Sequence, residues 1–434
     1  MDTEKYSLNY FLKKYEDLYA QKEQKIKSSL KRCTDALHCK KVDRVPIWQV
    51  TQTSFYPRHE LYQLRYKNLI TALAKCVLSL NHCTDYVPFL DPFEGVTIVA
   101  EAFGCKVLCL KNNDPAIKSP IVFKPEDVYG LKKPKLYNKV YKRVFETLKY
   151  WEEKTGSLIP LGNTDPQSPL NVATLIWKTD DFLVSCYTNK KEVHYLLNLI
   201  TESFIEFYSK QHELIKNDAY PVHAFPLVNS NDGIAVSDDS VVLMTPELFR
   251  EFGIPYLEKI SEAFGGIYYH SCGDWGAFIN DILSIKGLRA INGHMSPKEL
   301  KPEYIKKITS RGIGLFLGIS NHEIGWENPD WQQEDRIKLY EKYYIPAAIR
   351  NSGGKGVVLV GHGGYMGYFN TTNDITIVTD NRGGTATDNL INLSDDEKNR
   401  NFKNIQHLIK NELQNLKAGK EFEYDKDYLN FSKA

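Results

Sequence analysis

An α/β chain of the (β/α)8 barrel class, with a helical extension at its amino end, is what the sequence predicts, on three observations. Eight short apolar runs fall at 45–50, 86–90, 158–161, 222–227, 266–270, 288–292, 312–317 and 356–360. A longer amphipathic segment follows each, as a parallel sheet with crossover helices requires. No strand is followed by a Gly-x-Gly-x-x-Gly turn and no Gly-x-x-x-x-Gly-Lys-Ser/Thr segment occurs, which argues against a doubly wound nucleotide-binding sheet. The extension is expected over 1–40 and the barrel over 41–434.

Taken in order, residues 7–40 read as helix, because Leu8, Phe11, Tyr15, Leu18, Ile26, Leu30, Cys33 and Leu37 recur at helical spacing. Lys41-Val42-Asp43-Arg44 breaks that pattern ahead of the first strand. The clearest crossover helix is 180–216, with Val193, Leu196, Leu197, Ile200, Phe204 and Phe207 on one face. Similar stripes mark 247–264, 296–309, 334–351 and 395–414. Pro246 behind Thr245 signals a helix start, and Gly265-Gly266 a stop. Gly353-Gly354-Lys355-Gly356 precedes its strand and fits a helix-to-strand turn. Stretches 94–114 and 370–389 break the alternation and are expected as added hairpins or loops.

A chain of 434 residues can bury the core of one large barrel. Its formal net charge of +1 gives no electrostatic case for nucleic acid or an anionic membrane as partner. The start lacks the basic-then-apolar order of a secretory signal and no apolar run is long enough to span a bilayer, so a cytoplasmic protein is expected. Eight scattered cysteines then read as reduced thiols, with Cys105 and Cys109 as core residues of a short strand.

In a barrel the chemistry collects just after the strands. Those positions hold Gln49 and Gln52; Asp91 and Glu94; Asn163, Asp165 and Gln167; Asp238 and Asp239; His270 and Cys272; Asn292 and His294; Asn321 and His322; and His362. His270-Ser271-Cys272-Gly273, at a strand end and ahead of a helix expected near Trp275, offers an imidazole and a thiol two residues apart. That pair fits zinc, which takes tetrahedral nitrogen and sulfur ligands, or a reactive sulfur, whose thiolate the amino terminus of the following helix would favour; it equally fits a half-buried cysteine beside a hydrogen-bonded histidine. His362, between glycines at the last strand end, is the expected third ligand, ahead of His294 and His322. Asp91, Asp165 and Asp238 are candidates to orient substrate or handle protons, or to cap helices. Gln167 and Asn292 are candidates for cofactor contacts.

In their order and spacing, Asp43-Arg44-Val45-Pro46, Asp165-Pro166-Gln167-Ser168-Pro169, Ser237-Asp238-Asp239-Ser240, Thr245-Pro246-Glu247-Leu248-Phe249 and His270-Ser271-Cys272-Gly273 resemble the uroporphyrinogen decarboxylase superfamily. The resemblance runs from about residue 29 onward and implies a (β/α)8 fold. Its methyltransferase branch binds zinc through His-x-Cys and a later cysteine to activate a thiol. His270 and Cys272 match, whereas no cysteine follows Cys272 and His362 stands where one is sought. The decarboxylase branch implies an essential carboxylate resembling Asp91 and a late Gly-His-Gly resembling Gly361-His362-Gly363. It also implies an arginine-rich segment to hold a tetrapyrrole's carboxylates, and 49–58 has Arg58 alone. The expectation is therefore a zinc-dependent methyltransferase. It would move a methyl group between a methylated small molecule, or a corrinoid on a partner protein, and a thiol-like acceptor. A tetrapyrrole decarboxylase and a corrinoid or porphyrin binder without chemistry are the alternatives.

Overall fold

The computed structural model describes residues 7–50, 56, 58–81, 84–92, 94–110, 113–215, 232–294, 301–318, 345–362 and 395–420. Its strands are β1 (Ile47–Val50), β2 (Lys106–Leu108), β3 (Ala116–Ser119), β4 (Ile234–Ser237), β5 (Ile267–Ser271), β6 (Leu288–His294), β7 (Gly314–Gly318) and β8 (Val357–His362). The chain divides into two compact units, one of Met1–Phe55, Leu73–Pro88 and Ala290–Ala434, the other of Tyr56–Ala72 and Phe89–Arg289.

In the first unit β1, β8, β7 and β6 run parallel, with Ile47 opposite Leu359, Leu317 opposite Leu359, and Asn292 opposite Phe316. Ile47, Trp48, Ile291, Leu315, Phe316, Leu317, Val357, Val358 and Leu359 are all buried. Such unbroken apolar runs are what a parallel sheet covered on both faces demands. The helix Leu8–Leu37 begins at Ser7, whose Oγ accepts the Tyr10 N–H, and buries Phe11, Tyr15, Ile26, Cys33 and Leu37 as its spacing predicts. Asp85 ties this helix to β1. Its carboxylate accepts from Arg32 (2.7 Å), from Arg44 (2.6 and 2.7 Å), from Ser29 (3.2 Å) and from the Ile47 N–H (2.9 Å). Arg32 also grips Asp43, and that ion pair holds the Asp43 carboxyl down at about 2.

In the second unit β4 and β5 run parallel with Ser237 opposite His270, and isolated parallel bridges join Leu90 to Leu161 and Gln167 to Ser237. The long helix Lys190–Leu214 packs Val193, Leu196, Leu197, Ile200, Phe204 and Phe207 inward, and Tyr141 stacks on Phe207 at 4.0 Å. After the helix Ile98–Ala102, β2 pairs antiparallel with β3, so the 94–114 stretch does break the alternation with a hairpin, whose second strand lies just beyond it.

Several boundaries differ from expectation. The 86–90 and 158–161 runs meet only through the Leu90–Leu161 bridge, since proline at 88 and 160 interrupts strand pairing. The 222–227 and 370–389 stretches lie outside the described residues. β4, three apolar residues and a serine, is too short to stand out between Asp232-Gly233 and Asp238-Asp239. Gly233 is needed there: its φ is +133°, and a Cβ would lie 2.5 Å from the Gly266 carbonyl oxygen. The 180–216 helix breaks at Asn189 (φ −134°, ψ 49°), and the 247–264 helix at Gly253, just ahead of Pro255, which has no N–H to donate. Cys105 is buried, and burial pushes its thiol up to about 11; Cys109 is exposed, not a core residue.

His212, on the Lys190–Leu214 helix, meets Phe264 edge-on at 5.4 Å. Burial lowers its pKa from 6.5 to about 4, so the folded chain keeps the ring neutral where the unfolded chain protonates it. Unfolded protein then binds more protons between pH 6.5 and 4. Stability is expected to fall as pH drops through that window. Urea midpoints against pH check it, and His212→Phe should flatten that part of the curve.

Among the described residues no helix is long and apolar enough to cross a membrane.

Candidate metal centre

The parallel register that sets Ser237 beside His270 brings the loop after β4 next to the loop after β5. His270 is the fourth residue of a fully buried strand and is itself 0% exposed. Cys272, two residues on, is exposed, and its sulfur lies 3.1 Å from His270 Nε2. At Gly273 a Cβ would come within 2.5 Å of Val242, so a small residue lets the β5 loop close on the turn that carries Asp239. Asp239 Oδ1 accepts the Cys272 backbone N–H at 2.6 Å and stands 3.9 Å from His270 Nε2. Donor atoms of Asp239, His270 and Cys272 all lie within 4.8 Å of one another.

These three fit zinc. Bonds of about 2.0–2.3 Å in a tetrahedron put neighbouring donors roughly 3.5 Å apart, close to the 3.1 Å and 3.9 Å that separate His270 Nε2 from Cys272 and Asp239, and nitrogen, sulfur and carboxylate oxygen are all accepted by the metal. The imidazole is buried, whereas Asp239 is 45% exposed at its side chain.

Behind the cluster is a bed of buried polar groups. Asp238 is fully buried, with Ser168 Oγ donating to Oδ1 and Tyr269 Oη to Oδ2 (3.2 Å); its own N–H donates to the His270 carbonyl (2.7 Å). Burial pushes this carboxyl up to about 7, against the pull of the two hydroxyl donors. Asp165 accepts from Gln167 Nε2 (3.0 Å) and Ser237 Oγ (3.3 Å). Asn171 donates to Gln167 Oε1 (2.9 Å) and accepts the Ser240 N–H (2.7 Å), which fixes the turn bearing Asp239. Asn163 Oδ1 is buried with no hydrogen-bond partner among the described residues.

Of the sites expected from sequence, His270, Cys272, Asp165, Gln167 and Asp238 thus lie on adjoining segments of the second unit. Asp91, half-buried, follows the Leu90 bridge in the same unit. Asn292 belongs to the first unit, where Nδ2 donates to the Phe316 carbonyl (3.0 Å) across β6 and β7. His362 ends β8, with its backbone opposite Val50; its side chain, like that of His294, lies outside the described residues, as does all of His322. No long helix follows Cys272. A 3₁₀ turn, Gly276–Phe278, leads to the four-residue helix Ile279–Ile282, too short for a dipole that would favour a thiolate. Sequence reading did not assign Asp239 to the metal, nor Ser168, Asn171 and Tyr269 to the polar bed. The available signal was the doubled Asp238-Asp239 ahead of a strand of matching register.

An α/β protein with parallel strands and a His-x-Cys pair at a strand end is the class that this geometry defines. The chain belongs to the uroporphyrinogen decarboxylase family: the model described as Uroporphyrinogen decarboxylase (URO-D) matches residues 28–301, more than half of its length. Membership carries the (β/α)8 fold, in agreement with the α/β architecture and parallel strands observed. The match covers Asp239, His270 and Cys272 and stops short of His362. Among curated proteins the chain is similar to the methylcobamide:CoM methyltransferase MtaA of Methanosarcina barkeri, 24% identical over 258 residues, which is 58% of this chain and 71% of that protein. The same enzyme from strain Fusaro is 24% identical over 261 residues. Among solved structures a methyltransferase from Methanosarcina mazei has the same fold, with a TM-score of 0.58 at 20% identity, over 83% of this chain and 98% of that one.

Proposed function

We propose that this protein is a zinc-dependent methyltransferase. It moves a methyl group between a corrinoid, carried by a partner protein, or a methylated small molecule and a thiol acceptor. The observation that carries the reading is the His270–Cys272 contact of 3.1 Å at a strand end, with a third donor in reach. The similarity to enzymes named for methylcobamide and CoM supports it. Zinc bound there would supply the Lewis acidity that keeps a thiol acceptor ionised at neutral pH.

The chain's own groups do the rest. His270 and Cys272 hold the metal; sequence offers His362 as a third ligand and geometry offers Asp239. Asp238, its carboxyl near neutrality, is suited to keep or pass a proton at its Ser168-facing or Tyr269-facing oxygen. Asp165 holds Gln167, which is assigned, with Asn292, to contacts with the corrinoid or substrate. Asp91 is assigned to substrate orientation.

The test is demethylation of methylcobalamin by small thiols such as 2-mercaptoethanesulfonate, followed by the corrinoid absorbance change. Zinc-loaded protein is expected to accelerate it, and chelation to remove the acceleration. Chelator-insensitive release of carbon dioxide from uroporphyrinogen would instead establish the decarboxylase alternative. Tight tetrapyrrole binding without turnover of either kind would establish a binder.

A further inference from the structure

We infer that Asp239 is itself a metal ligand and stands in for the cysteine that the methyltransferase pattern places later in the chain. The inference rests on the reading of His270 and Cys272 as metal-binding. It has three supports. The Asp239 carboxylate belongs to the only described group of three donors that could share an ion, within 4.8 Å of both His270 Nε2 and Cys272 Sγ. Its placement is built rather than accidental. Asn171 holds the Ser240 N–H at 2.7 Å, the β4–β5 register aligns the two loops, and the carboxylate already reaches the Cys272 backbone at 2.6 Å.

The third support is charge. No cysteine follows Cys272 in the chain. A dication with one thiolate and two imidazoles keeps one net positive charge, while one thiolate and one carboxylate make the centre neutral, as two thiolates would. A near-neutral centre keeps a bound thiolate electron-rich, and a carboxylate supplies that neutrality with a harder donor than sulfur. The site then needs only three protein ligands, from the end of β5 and the turns after β4 and β5 in one unit, and keeps a fourth position open for substrate.

Zinc content and affinity decide this, together with the spectrum of cobalt-substituted protein, which reads the ligands without any turnover. Wild type, Asp239→Ala, Asp239→Asn, Asp239→Cys, His270→Ala and His362→Ala are purified and compared. Asp239→Asn preserves an acceptor for the Cys272 N–H and so separates ligation from loop support. Expected are zinc affinity lowered by more than about 100-fold in Asp239→Ala and Asp239→Asn, since even outer-sphere partners cost 10–100-fold. Retention is expected in His362→Ala, and Asp239→Cys should roughly double the sulfur-to-cobalt charge-transfer absorbance, one thiolate becoming two. Undiminished affinity in Asp239→Asn, with loss in His270→Ala, overturns the inference and leaves the metal reading standing with Asp239 as a loop support. Failure of the wild type to bind zinc or cobalt overturns both.

Discussion

His270→Ala is expected to empty the metal centre and to slow thiol-dependent demethylation of methylcobalamin by about 10³-fold or more. The estimate follows from Lewis-acid stabilisation of several kcal/mol, at 1.36 kcal/mol per tenfold in rate. His270 is the one fully buried donor of the group, so it loses least freedom on binding and anchors the ion for its exposed neighbours. The substitution leaves its backbone role intact, because the Asp238 N–H bonds the His270 carbonyl and not the ring. Folding should therefore survive with a modest cost, about 1–3 kcal/mol for an unfilled buried site. Zinc per chain, thermal midpoint and rate are measured on the same preparation. Wild-type zinc content in folded His270→Ala would remove His270 from the ligand set, and an unchanged rate after zinc is lost would remove the metal from the proposed reaction.

Legibility of the site followed the range of the interactions that build it. His270 and Cys272 were readable because both donors lie within one tripeptide, at the end of an apolar run whose strand character is local. Asp239 was seen only as a strand-end carboxylate. Its distance from Cys272 depends on the pairing of β4 with β5, a contact 33 residues apart in sequence. β4 itself was hidden by its brevity, four residues with no alternation to report. Burial of the long helix's apolar stripe was legible for the opposite reason: 3.6-residue periodicity over 25 residues averages out local exceptions. Single-residue breaks at Asn189 and Gly253 were not, because hydrophobic spacing continues across both and the backbone angles that end each helix leave no trace in it. Asp43 and Arg44, part of the segment that carried the family resemblance, make ion pairs with Arg32 and Asp85 that tie the first helix to β1.

Loss of that Asp85 hub is expected to destabilise the first unit strongly. Asp85 is 0% exposed and accepts from two guanidinium groups, a hydroxyl and the first N–H of β1. Asp85→Ala leaves Arg32 and Arg44 partly buried without their shared counter-charge, and removing one partner of a buried pair costs about 3–5 kcal/mol. Asp85→Asn keeps an oxygen for the Ile47 N–H and loses the charge, so about 2–3 kcal/mol is expected. Arg44→Ala should cost less, about 1–2 kcal/mol, because Arg44 is 27% exposed at its side chain and Arg32 still neutralises the carboxylate. Urea unfolding followed by circular dichroism gives the three values; equal costs for Asp85→Ala and Arg44→Ala would show that the hub is not the carboxylate. Zinc affinity supplies a second comparison on the folded variants. Asp239, His270 and Cys272 all belong to the second unit, so Asp85→Ala should bind zinc as the wild type does, well below its unfolding midpoint. A ligand at the end of β8 would instead feel the change through β1, whose Gln49 and Val50 pair with Gly361 and His362.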